Sequence, residues 1–145
     1  MFVTKLLSPG ANLTDAYAVR AAVFVNEQGF SEAIEFDDID HIAYHIVIFD
    51  GQKPIATGRV FPEQPESKDT YVIGRVAVLK KYRGKEIGIK LMTKLEECAK
   101  ALGGSRVVLG AQLRAREFYT KRGYKEYGEE YMDEQYPHIN MEKAL

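Results

Sequence analysis

One stretch leaves few folds open to this chain. Residues 76–92 read Val-Ala-Val-Leu-Lys-Lys-Tyr-Arg-Gly-Lys-Glu-Ile-Gly-Ile-Lys-Leu-Met: an apolar run, a basic turn with a glycine, then the start of a helix. In that helix Gly88, Leu91, Met92, Leu95, Cys98, Ala99 and Leu102 recur at steps of three and four, which predicts one buried face. Gly103-Gly104 ends it. Residues 106–111, with Val107, Val108 and Leu109, predict a further buried strand.

The flanks add strands. Residues 2–6 alternate and predict a first strand, broken by Pro9 and Gly10. Thr14 and Asp15 suit the start of a helix running to Val25. Residues 43–49 are apolar and branched, Asp50-Gly51 reads as a hairpin turn, and residues 54–60 return. Residues 62–68 carry Pro62 and Pro65 and are expected to form a loop, with residues 71–79 a long strand after it. Ala115, Phe118 and Tyr119 sit on a short helix that stops at Gly123, and residues 124–127 and 138–141 predict two closing strands. The order describes a mixed α/β domain, and 145 residues suit one such domain.

Composition bounds the function. With 46% hydrophobic residues the chain can build a core, and 28% charged residues with a net charge of -1 give no overall attraction to nucleic acid or an anionic membrane. No apolar stretch approaches the ~20 residues that span a bilayer. One cysteine, Cys98, forms no intrachain disulfide and is expected in the core. Residues 1–7 lack the pattern of a signal peptide, so a cytoplasmic location is expected.

The strand–turn–helix stretch is a candidate anion site. The first amides of a helix have no internal partner, and the helix dipole adds partial positive charge there. Gly84 and Gly88 permit close approach to the backbone, and Lys80, Lys81, Arg83 and Lys85 add positive potential. Together they suit a pyrophosphate. The spacing is neither that of a nucleotide-hydrolysing P-loop nor G-x-G-x-x-G, and a plain solvated turn is the competing reading.

Residues 76–92 resemble the signature segment of the GNAT acetyltransferase superfamily, whose pattern is (Gln/Arg)-x-x-Gly-x-(Gly/Ala). Arg83 and Gly88 fill the first and last positions, while Glu86 stands where the pattern has its middle glycine. A carboxylate there repels a nearby phosphate by ~1 kcal/mol at about 4 Å in water-like surroundings. With Arg20, Val23-Phe24-Val25-Asn26-Glu27-Gln28 and His138-Ile139-Asn140-Met141, the whole chain is similar to the small bacterial ElaA-like members. The resemblance implies one GNAT-like domain over residues 1–145, a mixed central β-sheet flanked by helices. It implies acetyl-coenzyme A as cosubstrate and a small-molecule or peptide amine as acceptor, with a homodimer possible. Val76, Ala77 and Val78 would meet the pantetheine arm, and Arg83, Gly84, Lys85, Glu86, Ile87, Gly88 and Ile89 the pyrophosphate. The sheet would splay beside this strand.

Residues 111–124 resemble the second cofactor segment of the superfamily, with Phe118-Tyr119 and Gly123-Tyr124 in its Phe-Tyr…Gly-(Phe/Tyr) pattern. Tyr119 then takes the place of the acid that protonates the departing thiolate. A tyrosine keeps its proton at neutral pH, its reference pKa being ~10. Read without the resemblance, Tyr119 is an aromatic core residue beside Phe118. By the same resemblance, Gln112 and Phe118 would fall near the cofactor arm. No carboxylate lies between residues 71 and 79 to serve as base, which leaves Glu27, Asp40, His41, His45, His138 or water. Glu27 and His138 are carried over only as substrate-pocket residues.

The acidic run Glu32, Glu35, Asp37, Asp38 and Asp40 is expected to be a solvated face, with attraction of a cationic acceptor as the second reading. The spacing lacks the glycine and terminal glutamate of a calcium loop, and no metal is expected. Glu86 and the missing strand carboxylate also motivate a competing function, a non-catalytic acyl-coenzyme A binding or sensing module.

Overall fold

The computed structural model describes the backbone of residues 1–145 and the side chains of all but Ala33, Ile34 and Ser67. The chain begins with strand β1 (Phe2–Leu7) and helix α1 (Thr14–Arg20), which continues as a π-helical segment (Ala21–Glu27). A short helix α2 (Glu32–Glu35) and a 3-10 turn (Asp38–His41) lead into β2 (Tyr44–Asp50), β3 (Lys53–Gln64) and β4 (Ser67–Val78). Helix α3 (Ile87–Ala101) crosses to β5 (Arg106–Gln112), followed by α4 (Arg116–Lys121), β6 (Lys125–Asp133) and β7 (Tyr136–Ala144). Among the described residues the strands form one seven-stranded sheet in the order β1-β2-β3-β4-β5-β7-β6.

The sheet is mixed because α3 supplies the crossover that a parallel pair requires. β1 to β4 form an antiparallel meander, β4 pairs β5 parallel, and β5, β7 and β6 are again antiparallel. Both sheet faces are covered, so β2 reads as a continuous apolar run. Ile46 and Ile48 join the cluster under α3, built on Leu91, Met92, Leu95, Cys98 and Ala99. The alternate residues Val47 and Phe49 pack with Ala16 of α1 on the other face. Val19 and Val23 press on Ala77 of β4, next to that patch. Cys98 is buried in the core, and burial pushes its thiol pKa up.

Several expectations need correction. The region of residues 62–68 is a hairpin continuing β3 into β4, not a loop. Pro62 is accommodated because the β3–β4 register shifts between Pro62 and Gln64, where the ladder is already irregular. The β2–β3 turn is Gly51-Gln52: Asp50 still pairs with Lys53, and Gly51 alone of that pair has a positive φ, 62°. The first helix changes to π geometry after Arg20, so Gln28 N–H reaches the Val23 carbonyl five residues back, at 3.0 Å. The closing strands are longer than expected, because β7 pairs along its length with β5 on one side and with β6 on the other.

Candidate functional site

The site begins where the sheet stops pairing. β4 and β5 share only three register pairs, Thr70↔Arg106, Tyr71↔Val107 and Val72↔Val108. Beyond them the strands part, and the gap opens into a cleft of about 1180 Å³. On its other side β4 carries a bulge against β3, where the pairing steps from Thr57↔Ala77 to Arg59↔Gly74. Arg75 sits in this bulge with φ 52°, a left-handed conformation that is costly for a residue with a Cβ. The strand edge from Gly74 to Val78 thus lines the cleft with backbone groups not taken up by β5.

At one end lies the turn into α3. Gly84 and Glu86 both have positive φ, 79° and 62°. These angles explain why a glycine suits the middle position that Glu86 occupies. The first amides of α3 have no side-chain cap, and Arg83, Gly84, Glu86, Ile87, Gly88 and Ile89 line the cleft. Lys85 does not: its ammonium lies over the Tyr82 ring, 5.7 Å from the centroid. Arg83 donates Nε–H to the Val78 carbonyl at 3.0 Å and grips Glu27 at 2.7 and 2.8 Å. That grip holds the Glu27 carboxyl below its usual pKa. Lys121 at the end of α4 and Arg122 just after it also line the cleft, a contribution the sequence reading missed.

Tyr119 of α4 lines the same cleft. Its ring meets Phe118 edge-on at 5.2 Å and Tyr124 at 5.7 Å. Burial pushes its hydroxyl up to about 12, so it is a proton donor throughout the neutral range. Tyr124 is buried too, but its hydroxyl donates to Glu96 at 2.7 Å and it does not line the cleft. Gly88 is explained by packing: a Cβ there would meet the Phe118 ring at 3.2 Å. Gln112 closes β5, donating to Gln28 at 2.8 Å while accepting from Arg114 at 2.8 Å.

The far end is roofed by the β6–β7 hairpin. Tyr136 Oη–H and Gln135 Nε2–H both donate to the Gln28 carbonyl, at 3.0 and 2.7 Å. His138 and Tyr131 stack there with ring centroids 5.6 Å apart. Tyr131 lies across Gly110, and its hydroxyl donates to Asn140 at 2.9 Å.

Beneath this end the acidic run departs most from expectation. Glu35 and Asp40 are 4% and 1% exposed and do not form a solvated face. Arg20 binds Asp40 at 2.7 and 3.1 Å and Glu35 at 3.4 Å. Arg59 binds Asp37 at 2.6 Å and Asp40 at 2.9 Å, and Arg75 binds Glu35 at 2.8 Å and Asp37 at 3.3 Å. Three carboxylates thus meet three guanidinium groups, and little net negative field remains to draw a cation. Burial pushes Asp37 and Asp40 upward, but the bonds from the arginines outweigh it and both end below the usual range. For Glu35 burial wins over Arg75 and Arg20, and its carboxyl ends above.

This network removes two base candidates. Asp40 is sealed in it, and His45 is buried against the Asp40 carbonyl at 3.0 Å, with burial lowering its pKa. His41 is exposed and does not line the cleft. Glu27 and His138 do line it. Among the described residues no cluster suits a metal ion, and no helix is long and apolar enough to cross a membrane.

A family model described as "Acetyltransferase (GNAT) domain" matches residues 12–145. YjcF of Bacillus subtilis, named as an uncharacterized N-acetyltransferase, is 39% identical over 133 residues, covering 90% of this chain and 91% of YjcF. The crystal structure of Escherichia coli ElaA superposes with a TM-score of 0.85 at 31% identity, covering 99% of both chains. An acyl-CoA N-acyltransferase from Pseudomonas aeruginosa superposes with a TM-score of 0.86 at 25% identity, covering 99% of this chain and 100% of that one.

Proposed function

The chain belongs to the GNAT acetyltransferase family, and from that premise we propose that it moves an acetyl group from acetyl-coenzyme A to a primary amine, by direct attack while both substrates are bound. As a member of the family it is an acyltransferase that uses acyl-coenzyme A and an amine acceptor. The acetyl group, the primary amine and the order of events are the finer reading.

The observation that carries it is the parting of β4 and β5 after Val72 and Val108, with the open turn into α3 beside it. A thioester needs a slot between strands, and a pyrophosphate needs unshared amides. The residues fit both demands. Val76, Ala77 and Val78 would face the pantetheine arm, with Gln112 and Phe118 across the gap. Gly84, Glu86, Ile87, Gly88 and Ile89 would receive the phosphates. Arg83 would turn from Glu27 toward them, and Lys121 and Arg122 would add charge. Lys85 would act only at a distance, since it stands outside the cleft.

Tyr119 supplies the acid. Its buried hydroxyl keeps its proton and has no hydrogen-bond partner among the described residues. It is therefore available to a thiolate leaving beside it.

Calorimetric titration with acetyl-coenzyme A tests the cofactor end. The wild type is expected to bind, and Arg83→Glu, which sets another carboxylate beside Glu27 and Glu86, to lose binding. No binding by the wild type at millimolar ligand would end the transferase reading. Tyr119→Phe is expected to bind coenzyme A normally and to release thiol roughly 10²-fold to 10⁴-fold more slowly. Unchanged turnover would mean that Tyr119 is only a core residue.

A further inference from the structure

We propose that His138 is the base that takes the proton from the acceptor amine; this rests on the acetyl-transfer reading above. His138 lies on β7, opposite Gln112 at the end of β5, and is 6% exposed. Its Nδ1 stands 2.9 Å from the Tyr136 carbonyl. A carbonyl oxygen only accepts, so Nδ1 carries the proton and donates it. In a neutral imidazole this leaves Nε2 bare. Among the described residues Nε2 has no hydrogen-bond partner, and the ring lines the cleft.

The ring is held as well as protonated in one way. It stacks on Tyr131, with 26° between the planes, and Tyr131 is itself anchored on Asn140. A second contact that fixes the tautomer and a stack that fixes the plane are what a positioned base requires. Of the carboxylates that line the cleft, Glu27 is held by Arg83 and Glu35 by Arg20 and Arg75, while Glu86 and Glu117 belong to the starts of α3 and α4 and Asp133 to the end of β6. β4 itself offers none between residues 71 and 79.

The step balances without a further reagent. The amine lone pair forms the C–N bond, and the carbonyl π pair moves to oxygen. The proton on that nitrogen passes to Nε2 of His138. When the C–O double bond re-forms, the C–S bond breaks and its electron pair leaves on sulfur, which takes the Tyr119 proton. Nε2 then returns one proton to solvent and the Tyr119 oxygen regains one.

Other ionisable groups line the same cleft or touch the ring. Tyr131 and Asp133 come from β6, Tyr136 from β7, Arg114 from the turn after β5, Glu27 from the π-helical segment and Glu35 from α2. The test therefore follows His138 itself. Imidazole nitrogen NMR shifts of the free protein are expected to show a protonated Nδ1 and a bare Nε2. O-benzylhydroxylamine serves as acceptor probe, because its nitrogen stays uncharged from neutral to mildly acidic pH. Thiol release from acetyl-coenzyme A with this probe is expected to fall on the acid side, with a midpoint matching the NMR titration of His138. His138→Asn can still donate to the Tyr136 carbonyl but has no Nε2. It is expected to bind coenzyme A as the wild type does, to turn over roughly 10²-fold more slowly or worse, and to lose the acid limb.

An Nε2-protonated tautomer, or an Asn variant that keeps the wild-type rate or the acid limb, would overturn the assignment. So would a wild type that binds coenzyme A yet releases no thiol to this neutral amine. A wild type that binds no coenzyme A brings down the transfer reading itself, whereas binding with the wrong tautomer removes only the base.

Discussion

Two charge-dense segments of this chain look alike on paper and do opposite things. Residues 32–41 and residues 80–86 are both short, irregular and crowded with charge. In the first, Glu35, Asp37 and Asp40 meet Arg20, Arg59 and Arg75, and Glu35 and Asp40 are buried. In the second, Lys80, Lys81, Arg83, Lys85 and Glu86 are all exposed around the start of α3, and among the described residues only Arg83 has an ion-pair partner, Glu27. Charge density in a sequence therefore does not say where the charge goes. The deciding question is whether the fold supplies the opposite charge itself. Where it does, the segment becomes a wall; where it does not, a ligand can complete it.

The contrast breaks most readily at Arg20. Arg20→Met leaves Asp40 and Glu35 short of a partner inside the protein, which is expected to cost about 3–5 kcal/mol in urea unfolding. Lys81→Met in the other segment is expected to change stability by less than ~0.5 kcal/mol. Comparable losses would mean that the two segments do not differ in kind.

Acid sharpens it next. Asp37 and Asp40 titrate below their unfolded values, so their stabilisation is complete above the unfolded aspartate pKa of ~3.9 and is lost as pH falls through the folded values. Glu35 has the opposite sign: its raised pKa favours the folded state at low pH and costs stability once it ionises. The thermal midpoint is expected to drop on the acid side of that range. At neutral pH Glu35→Gln should cost less than Asp40→Asn, as thermal melts would record.

Smaller effects belong to the open turn. Glu86→Gly relieves a left-handed backbone and is expected to gain about 1 kcal/mol and to bind coenzyme A more tightly. Weaker binding by calorimetry would mean that Glu86 orders the turn and does not repel the phosphates. Glu27→Gln removes an exposed ion pair and should shift stability by ~0–1 kcal/mol at most.

What was legible follows the range of the forces involved. The turn and α3 could be read because their signals, helical periodicity and Gly103-Gly104, are local. The buried charge network could not, because its arginines lie 15 to 40 residues from their partners in sequence. The β3–β4 hairpin was missed because Pro62 reads as a breaker, and only the partner strand reveals an irregular register that tolerates it. Tyr119 was separable from Tyr124 only by resemblance; the structure separates them by giving Tyr124 to Glu96. The bare face of His138 was invisible, since it depends on where the Tyr136 carbonyl points.

The hairpin roof has a consequence for how the protein comes into being. The contacts that seat it on the Gln28 carbonyl join residues 107 and 108 positions apart. On the ribosome Gln28, at the end of the π-helical segment, emerges early, and its carbonyl is left to water until the hairpin arrives. Contacts so distant in sequence are entropically expensive to close and form slowly. The far wall of the cleft is therefore expected among the last parts of the molecule to consolidate, and a partly synthesised chain would hold an open, unfinished groove.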